Sequence, residues 1–458
     1  MEELVLRARR AQRAWGGLEP ARRARALRPW WRRILSGMGE VADVLAAETG
    51  KPRYEALFHE VLPLLDGMRH QMKSVPRHLR ARRIPLHLAI HRRSDLVPVP
   101  VGVVGIIAPW NFPVAIGIGD AVTALLAGNA VVLKPSERTP ESSRMLVRWW
   151  RETGGDPDLL IVAEGGPEAG QALIAARPDH VIFTGSVPGG RRVAVAAAER
   201  LIPTTLELGG KAPAIVLPDA DLAETAKTLA WGAFANCGQV CASVERVYVP
   251  RVIWEPLLGL LRREVAGLRP GIDIGRPTMP EAVARWDEQV AEAVSLGAEV
   301  IRPDAHFPDP YHAPALLAPC PADARVMREE IFGPLLPLCP VDDVEEAVRL
   351  ANESEVGLLG YVFTRDVRAG RRLAARLQVG TVMINEVILT HAMPETPWGG
   401  QKDSGWGRVH GTQGLDALVH WRHVNAPRFR WTFRPWLHPY DDRWATLMER
   451  WLPRVWRP

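Results

Sequence analysis

The chain has 458 residues, 47% of them hydrophobic and 24% charged, the balance of a soluble globular protein of two to four domains. No apolar run reaches the roughly 18 residues that would span a bilayer. The opening MEELVLRARRAQRAW lacks the apolar core of a secretory signal, and four cysteines are too few for a disulfide framework, so a cytoplasmic protein is expected. The net charge of +5 comes without a nucleic-acid-binding motif, so nucleic acid is not an expected partner.

The first 75 residues predict helices, because Leu4, Ala11 and Trp15, then Leu27, Trp30, Trp31 and Leu35, recur at helical spacing. Residues 84–100 alternate apolar and polar around Arg92-Arg93-Ser94-Asp95, which predicts a hairpin or arm. From Val101, short apolar runs (VGVVGIIAP, AVVLKPS, LLIVAE, HVIFTGS, PTTLELGG) alternate with helical segments. Such runs suit buried parallel strands, and the alternation suits a doubly wound α/β domain. A second α/β set follows, with strands near APAIVL, RVYVP, LLPLCPV, GYVFT and TVMIN.

Several loops between these runs carry chemistry, each with a plainer alternative. Trp110-Asn111 lies between prolines after a strand: a carboxamide there can donate into a cleft, or it can simply make a turn. Lys134 and Glu137 follow the strand AVVL, where open parallel sheets bind ligands; a solvated turn is the alternative. Gly185-Ser186, with Gly189 and Gly190, opens a helix whose N-terminus could meet a phosphate, but no G-x-G-x-x-G is present. Glu207 sits between two leucines before Gly209-Gly210-Lys211, a setting that raises a carboxyl pKa for base work; an edge-strand glutamate facing water is equally open. Cys237 and Cys241 are four apart, with no C-x-x-C or H-x-x-x-H nearby to complete a zinc site. Either is a buried structural cysteine or a nucleophile. Glu330 and Phe332 precede a Gly-Pro turn. Residues 397–408 are rich in glycine and, in isolation, predict a flexible surface loop.

The order and spacing of these motifs are more specific than any one of them. P-W-N-F-P, K-P-S-E, F-T-G-S, L-E-L-G-G-K, F-x-N-x-G-Q-x-C and E-x-F-G-P follow one another, with Cys241 34 positions after Glu207. From about Glu40 to Val424 the chain resembles the aldehyde dehydrogenase superfamily. The resemblance implies a Rossmann-like cofactor domain (residues 1–81 and 101–208), an α/β catalytic domain (209–410), a small β oligomerisation arm (82–100 and 411–425), and an extension at 426–458. It implies that Cys241 is the nucleophile, Cys237 a structural cysteine, Asn111 the oxyanion donor acting with the Cys241 N–H, and Glu207 the base that activates water. Lys134 and Glu137 would contact the adenosine ribose, Ser186 with Gly185 the pyrophosphate, and Glu330 and Phe332 the nicotinamide ribose and ring. Trp110 and Gly209 would line the same region. The presence of Glu207 favours hydrolysis of the thioester over transfer to coenzyme A. Glu137 favours NAD, since a carboxylate would repel the 2′-phosphate of NADP, although relatives with this glutamate accept NADP as well. The expected partners are a small-molecule aldehyde and further copies of the chain, as a homodimer or homotetramer. The rival readings are an idle scaffold on this fold and a cofactor-independent ester or thioester hydrolase.

Two departures from the resemblance matter. Gly117 and Gly119 stand where many relatives carry bulky tunnel residues, which predicts a wider or longer substrate tunnel or, alternatively, close helix packing. The extension holds five of the 17 tryptophans, at 431, 436, 444, 451 and 456. Asp441-Asp442 can cap a helix with Trp444, Leu447, Met448, Trp451 and Leu452 on one face. That helix either packs on protein or touches a membrane surface, which would suit a hydrophobic, medium- to long-chain aldehyde.

Overall fold

The computed structural model describes residues 1–434 and 436–455. The chain divides into two compact units, one of residues 1–79 and 100–420, the other of 80–99 with the segment from 421 onward.

The larger unit opens with helices, among them Glu2–Gly16, Arg28–Ser36, Met38–Thr49 and Leu62–His78. Trp15, Trp30 and Trp150 meet edge to face at centroid distances of 5.4 and 6.4 Å. Offset and edge-on pairs of this kind add to the area that such rings bury.

A six-stranded sheet follows, in the order Gly405–Trp406, Thr204–Glu207, His180–Thr184, Val103–Ile107, Ala130–Lys134 and Leu160–Val162. All neighbours are parallel except Gly405–Trp406, which runs antiparallel to Thr204–Glu207. Every residue of Val103–Ile107 and Ala130–Lys134 is buried, as a sheet covered on both faces requires. The chain starts at Val103–Ile107, builds outward to Leu160–Val162, then returns to the other side at His180–Thr184. Strand order therefore reverses between Val103–Ile107 and His180–Thr184, and a crevice opens beyond the carboxyl ends of strands at such a reversal.

The second sheet has seven strands: Glu299–Ile301, Ala315–Ala318, Leu335–Val341, Arg246–Pro250, Pro213–Val216, Leu359–Phe363 and Thr381–Ile384. Only its first pair is antiparallel. The strands expected from the apolar runs are all present. Glu299–Ile301 and Ala315–Ala318 were not expected, because a short mixed run and an alanine-leucine run carry no clear period. The 397–408 loop is also more ordered than its glycines predict. Trp398 is buried and bridges Val409, and Gly405–Trp406 completes the first sheet.

In the smaller unit, Arg82–Ile84 pairs antiparallel with Arg92–Pro100, and Val419–Pro427 joins the other side of Arg92–Pro100. The helix Asp442–Val455 has no buried residue, and Trp444, Leu447, Met448 and Trp451 all remain exposed. Trp456, expected in the same tail, lies outside the described residues. Among the described residues no helix is long and apolar enough to cross a membrane.

Candidate active site

The carboxyl-end loops of the first sheet converge on one cleft of about 630 Å³. Trp110 and Asn111 follow Val103–Ile107, Lys134 and Glu137 follow Ala130–Lys134, Gly185 and Ser186 follow His180–Thr184, and Glu207 and Gly209 close Thr204–Glu207. From the second sheet's side come Cys241, Glu330 and Phe332. All eleven residues singled out from sequence thus line a single cavity.

Cys241 is placed by an unusual turn. After the helix Leu222–Phe234, the residues Asn236, Cys237 and Gly238 take φ of 53°, 56° and 69°, a left-handed run that costs energy for non-glycine residues. The run is held by buried hydrogen bonds. Both Glu55 oxygens accept from the Asn236 N–H, at 3.0 and 3.1 Å, and Asn236 Nδ2 donates to Asn111 O and Gln239 O. A Cβ on Gly210 would meet Cys241 O at 2.5 Å, so only glycine permits this approach. Cys237 is fully buried, as expected of a structural cysteine.

Asn111 is buried and donates from Nδ2 to Gln239 O at 3.0 Å. An amide nitrogen has two N–H groups, so this bond orients the carboxamide while the second can serve a ligand. The Asn111 backbone is fixed by Lys51, whose Nζ donates to Asn111 O at 2.8 Å and pairs with Glu60 Oε1 at 2.5 Å. Glu60 Oε2 in turn accepts from Val114 N at 2.9 Å, securing the turn after Pro113. A second buried pair, Lys211–Glu245 at 2.8 Å, does the same on the opposite wall: Glu245 accepts from Ile331 N and Phe332 N, both at 2.9 Å. These supports were not read from sequence. The available signal was composition: the chain has six lysines, and Lys51, Lys134 and Lys211 are all buried.

Glu330 Oε1 accepts from Gly210 N at 3.0 Å, and a Cβ on Gly209 would lie 2.6 Å from its carboxylate, so Gly209 makes room for it. The Trp110 and Phe332 rings meet edge to face at 5.3 Å. Lys134 Nζ pairs with Glu137 Oε2 at 2.9 Å. Burial pushes the Glu137 carboxyl up, but the hydrogen bond from Lys134 and nearby positive charge hold it below the usual range. Ser186 caps the helix Val187–Ala198 by accepting from Gly189 N; Pro188 has no N–H and Gly190 N donates to Ser186 O, so Val187 N is the first-turn donor left for an anion. A buried amine beside a carboxylate, a glycine cradle and a capped helix start fit a dinucleotide.

The other end of the cleft holds buried acids. Glu207 is not an edge-strand carboxylate in water: it is buried, neither oxygen has a partner among the described residues, and burial, then the Asp120 charge, raise it well above the ordinary carboxyl range. Burial pushes Asp120 up to about 7, and its Oδ2 is also unpartnered. Burial, then Glu330 and Glu207, push the Cys241 thiol up to about 12. Cys241 therefore needs a positive charge or a base beside it before it can attack.

Of the two glycines after Pro113, Gly117 packs: its Cβ would meet Ala108 Cβ at 2.9 Å. Gly119 faces open space, as does Gly67, and both border a small cavity with Leu64, Met68 and Val122. His391 lines both that cavity and the main cleft.

Comparison with known proteins agrees with this construction. Residues 1–424 match the model of the aldehyde dehydrogenase family. The chain belongs to that family. It is 37% identical to a 4,4'-diapolycopene aldehyde oxidase of Methylomonas sp, over 91% of this chain and 79% of that protein. Among solved structures, a Mycobacterium tuberculosis aldehyde dehydrogenase complexed with NAD+ superposes with a TM-score of 0.86 at 30% identity, covering 94% of this chain and 90% of that one. An E. coli NADP dependent enzyme superposes with a TM-score of 0.88 at 31% identity, covering 93% and 89%.

Proposed function

We propose that this NAD(P)-dependent aldehyde dehydrogenase oxidises a hydrophobic, medium- to long-chain aldehyde to its carboxylic acid through a covalent adduct on Cys241. The convergence of Cys241, Asn111 and Glu207 with the cofactor contacts in one cleft supports this reading most directly. Lys134 and Glu137 would hold the adenosine ribose, Gly185 and Ser186 the pyrophosphate, and Glu330 and Phe332, with Trp110 and Gly209, the nicotinamide half. A bound oxidised nicotinamide supplies a hydride acceptor and a positive charge near the thiol. Cys241 releases its thiol proton to solvent, and the thiolate Sγ attacks the aldehyde carbon, giving a tetrahedral thiohemiacetal whose oxygen carries the negative charge. Asn111 Nδ2 and the Cys241 N–H donate to its oxyanion. After oxidation to the thioester, Glu207 removes a proton from water as the water oxygen attacks the acyl carbon. The Cys241 sulfur then leaves and regains its proton.

The apolar preference rests on Gly119 and Gly67, which leave open space beside Leu64, Met68 and Val122. One relative is named a 4,4'-diapolycopene aldehyde oxidase. The exposed tryptophan face of Asp442–Val455, with Arg443, Arg450 and Arg454, suits a membrane surface from which such an aldehyde would come. Val419–Pro427 and Arg92–Pro100 would pair copies of the chain into a homodimer or homotetramer. The test is reduction of NAD+ and NADP+ across an aldehyde chain-length series, with Cys241→Ala as the blank. Rates that rise with chain length support the reading. A peak at a short or polar aldehyde keeps the chemistry but removes the apolar substrate, and no reduction with any aldehyde removes both.

A further inference from the structure

We propose that Asp120 and Glu207 act as one two-carboxyl unit carrying a single proton, in which Asp120 decides when Glu207 is free to take a proton from water. The inference rests on the proposed hydrolytic role of Glu207 and adds a residue that none of the motifs contains.

The geometry is specific. Asp120 stands in the first turn of the helix Gly119–Ala127, and Glu207 ends the strand Thr204–Glu207. Both are about 4% exposed and both line the same cleft. Among the described residues Asp120 Oδ2, Glu207 Oε1 and Glu207 Oε2 have no hydrogen-bond partner. A buried carboxylate without partners is costly, and two in one cavity cost more, because each charge disfavours the other. One proton relieves both, and a cleft of about 630 Å³ into which these unpartnered oxygens face has room for the water that passes it between them.

Burial raises both members of this pair above the ordinary carboxyl range. Burial keeps His391 well below its ordinary value, and His410 falls to about 4, so both are neutral in the working range. Arg408, beside the Gly399 turn that faces Glu207 Oε1, favours ionised Glu207. Cys241 titrates near 12. Lys51 and Glu60, beneath the turn before Asp120, are committed to each other. Glu330, across the cleft, is raised to about 7 by burial and by Glu245, and Glu55, beneath the Asn236 turn, is raised to about 7 by burial.

During hydrolysis the pair works as follows. With the shared proton on Asp120, Glu207 is ionised. It takes a proton from water as the water oxygen bonds to the acyl carbon. The carbon–sulfur bond then breaks, and the proton on Glu207 passes to the departing sulfur, restoring the starting state. With the proton on Glu207 instead, water is not activated. The Asp120 charge thus raises the pH at which Glu207 becomes available.

The test is deacylation measured without cofactor. 4-Nitrophenyl acetate acylates Cys241, releases nitrophenolate in a burst, and the slow phase then reports hydrolysis of the thioester. In the parent, the slow phase should fall along an acid limb as Glu207 becomes protonated. Asp120→Asn removes the neighbouring charge and should move that limb to lower pH by about one unit, the scale of a close carboxyl pair. Asp120→Glu should keep the parent limb. Asp120→Ser must give the same shift should the Asn variant not fold. A limb that stays put in Asp120→Asn, or a rate lowered equally at every pH, overturns the proposal. Glu207→Gln separates the two ideas: if it hydrolyses the thioester as the parent does, the proposed base is wrong whatever Asp120 does.

Discussion

The two ends of the cleft handle charge in opposite ways. At the cofactor end Lys134 and Glu137 are paired, and Glu330 accepts from Gly210 N. At the chemical end Glu207 and Asp120 are buried with unpartnered oxygens. Paired charges fix positions, because moving either partner strands the other. Unpaired buried acids cost stability but sit near the pH at which a proton can be exchanged. The cofactor end is therefore built for geometry, the chemical end for proton traffic.

Four single substitutions, one of them with a second-site partner, would break or sharpen that contrast. Cys241→Ala, which removes the proposed nucleophile, should reduce aldehyde oxidation by at least about 10³-fold while cofactor still binds, read by fluorescence titration. Lys51→Met attacks geometry rather than chemistry. It strands Glu60 in an apolar site, so it should cost about 3–5 kcal/mol in chemical denaturation. Adding Glu60→Leu should recover part of that loss, since no buried charge then remains but Val114 N and Ala115 N lose their acceptor. Asn111→Ala should slow turnover by roughly 10²–10³-fold with little change in KM, the signature of a donor used only in the transition state. Lys134→Ala at the other end should instead raise the cofactor KM about tenfold or more and spare kcat, as loss of a charged hydrogen bond in binding does.

This contrast also explains what the sequence could and could not reveal. The strands were legible because buried parallel strands are short, β-branched apolar runs, as in Val103–Ile107 and Arg246–Pro250. The cleft-lining residues were legible because motif order is preserved along the chain. The supports were not. Lys51 reaches Asn111 across 60 positions, and Glu55 reaches Asn236 across 181. Neither contact leaves a local pattern, and a Gly-Lys-Pro turn reads as solvated until the fold buries it. Asp120 was hidden for a related reason: an acid in a helix's first turn is ordinary at a surface, and only the tertiary burial makes it unusual. The glycines divided likewise, since sequence cannot tell Gly117, pressed against Ala108, from Gly119, which faces space.

The smallest expected effect tests the chemical end by stability alone. Glu207 is raised well above its ordinary 4.5 in the folded chain, by burial first and Asp120 second. Between those values the folded state holds a proton that the unfolded chain has released. Stability therefore falls as pH rises through that window, by the linkage between proton uptake and unfolding. Glu207→Gln cannot ionise, so its melting temperature should match the parent near pH 4 and exceed it increasingly toward pH 8. The opposite sign, a variant less stable than the parent at pH 8, would mean that ionised Glu207 has partners that offset its burial. The chemical end would then be held by paired charge just as the cofactor end is, and the division between geometry and proton traffic would not stand.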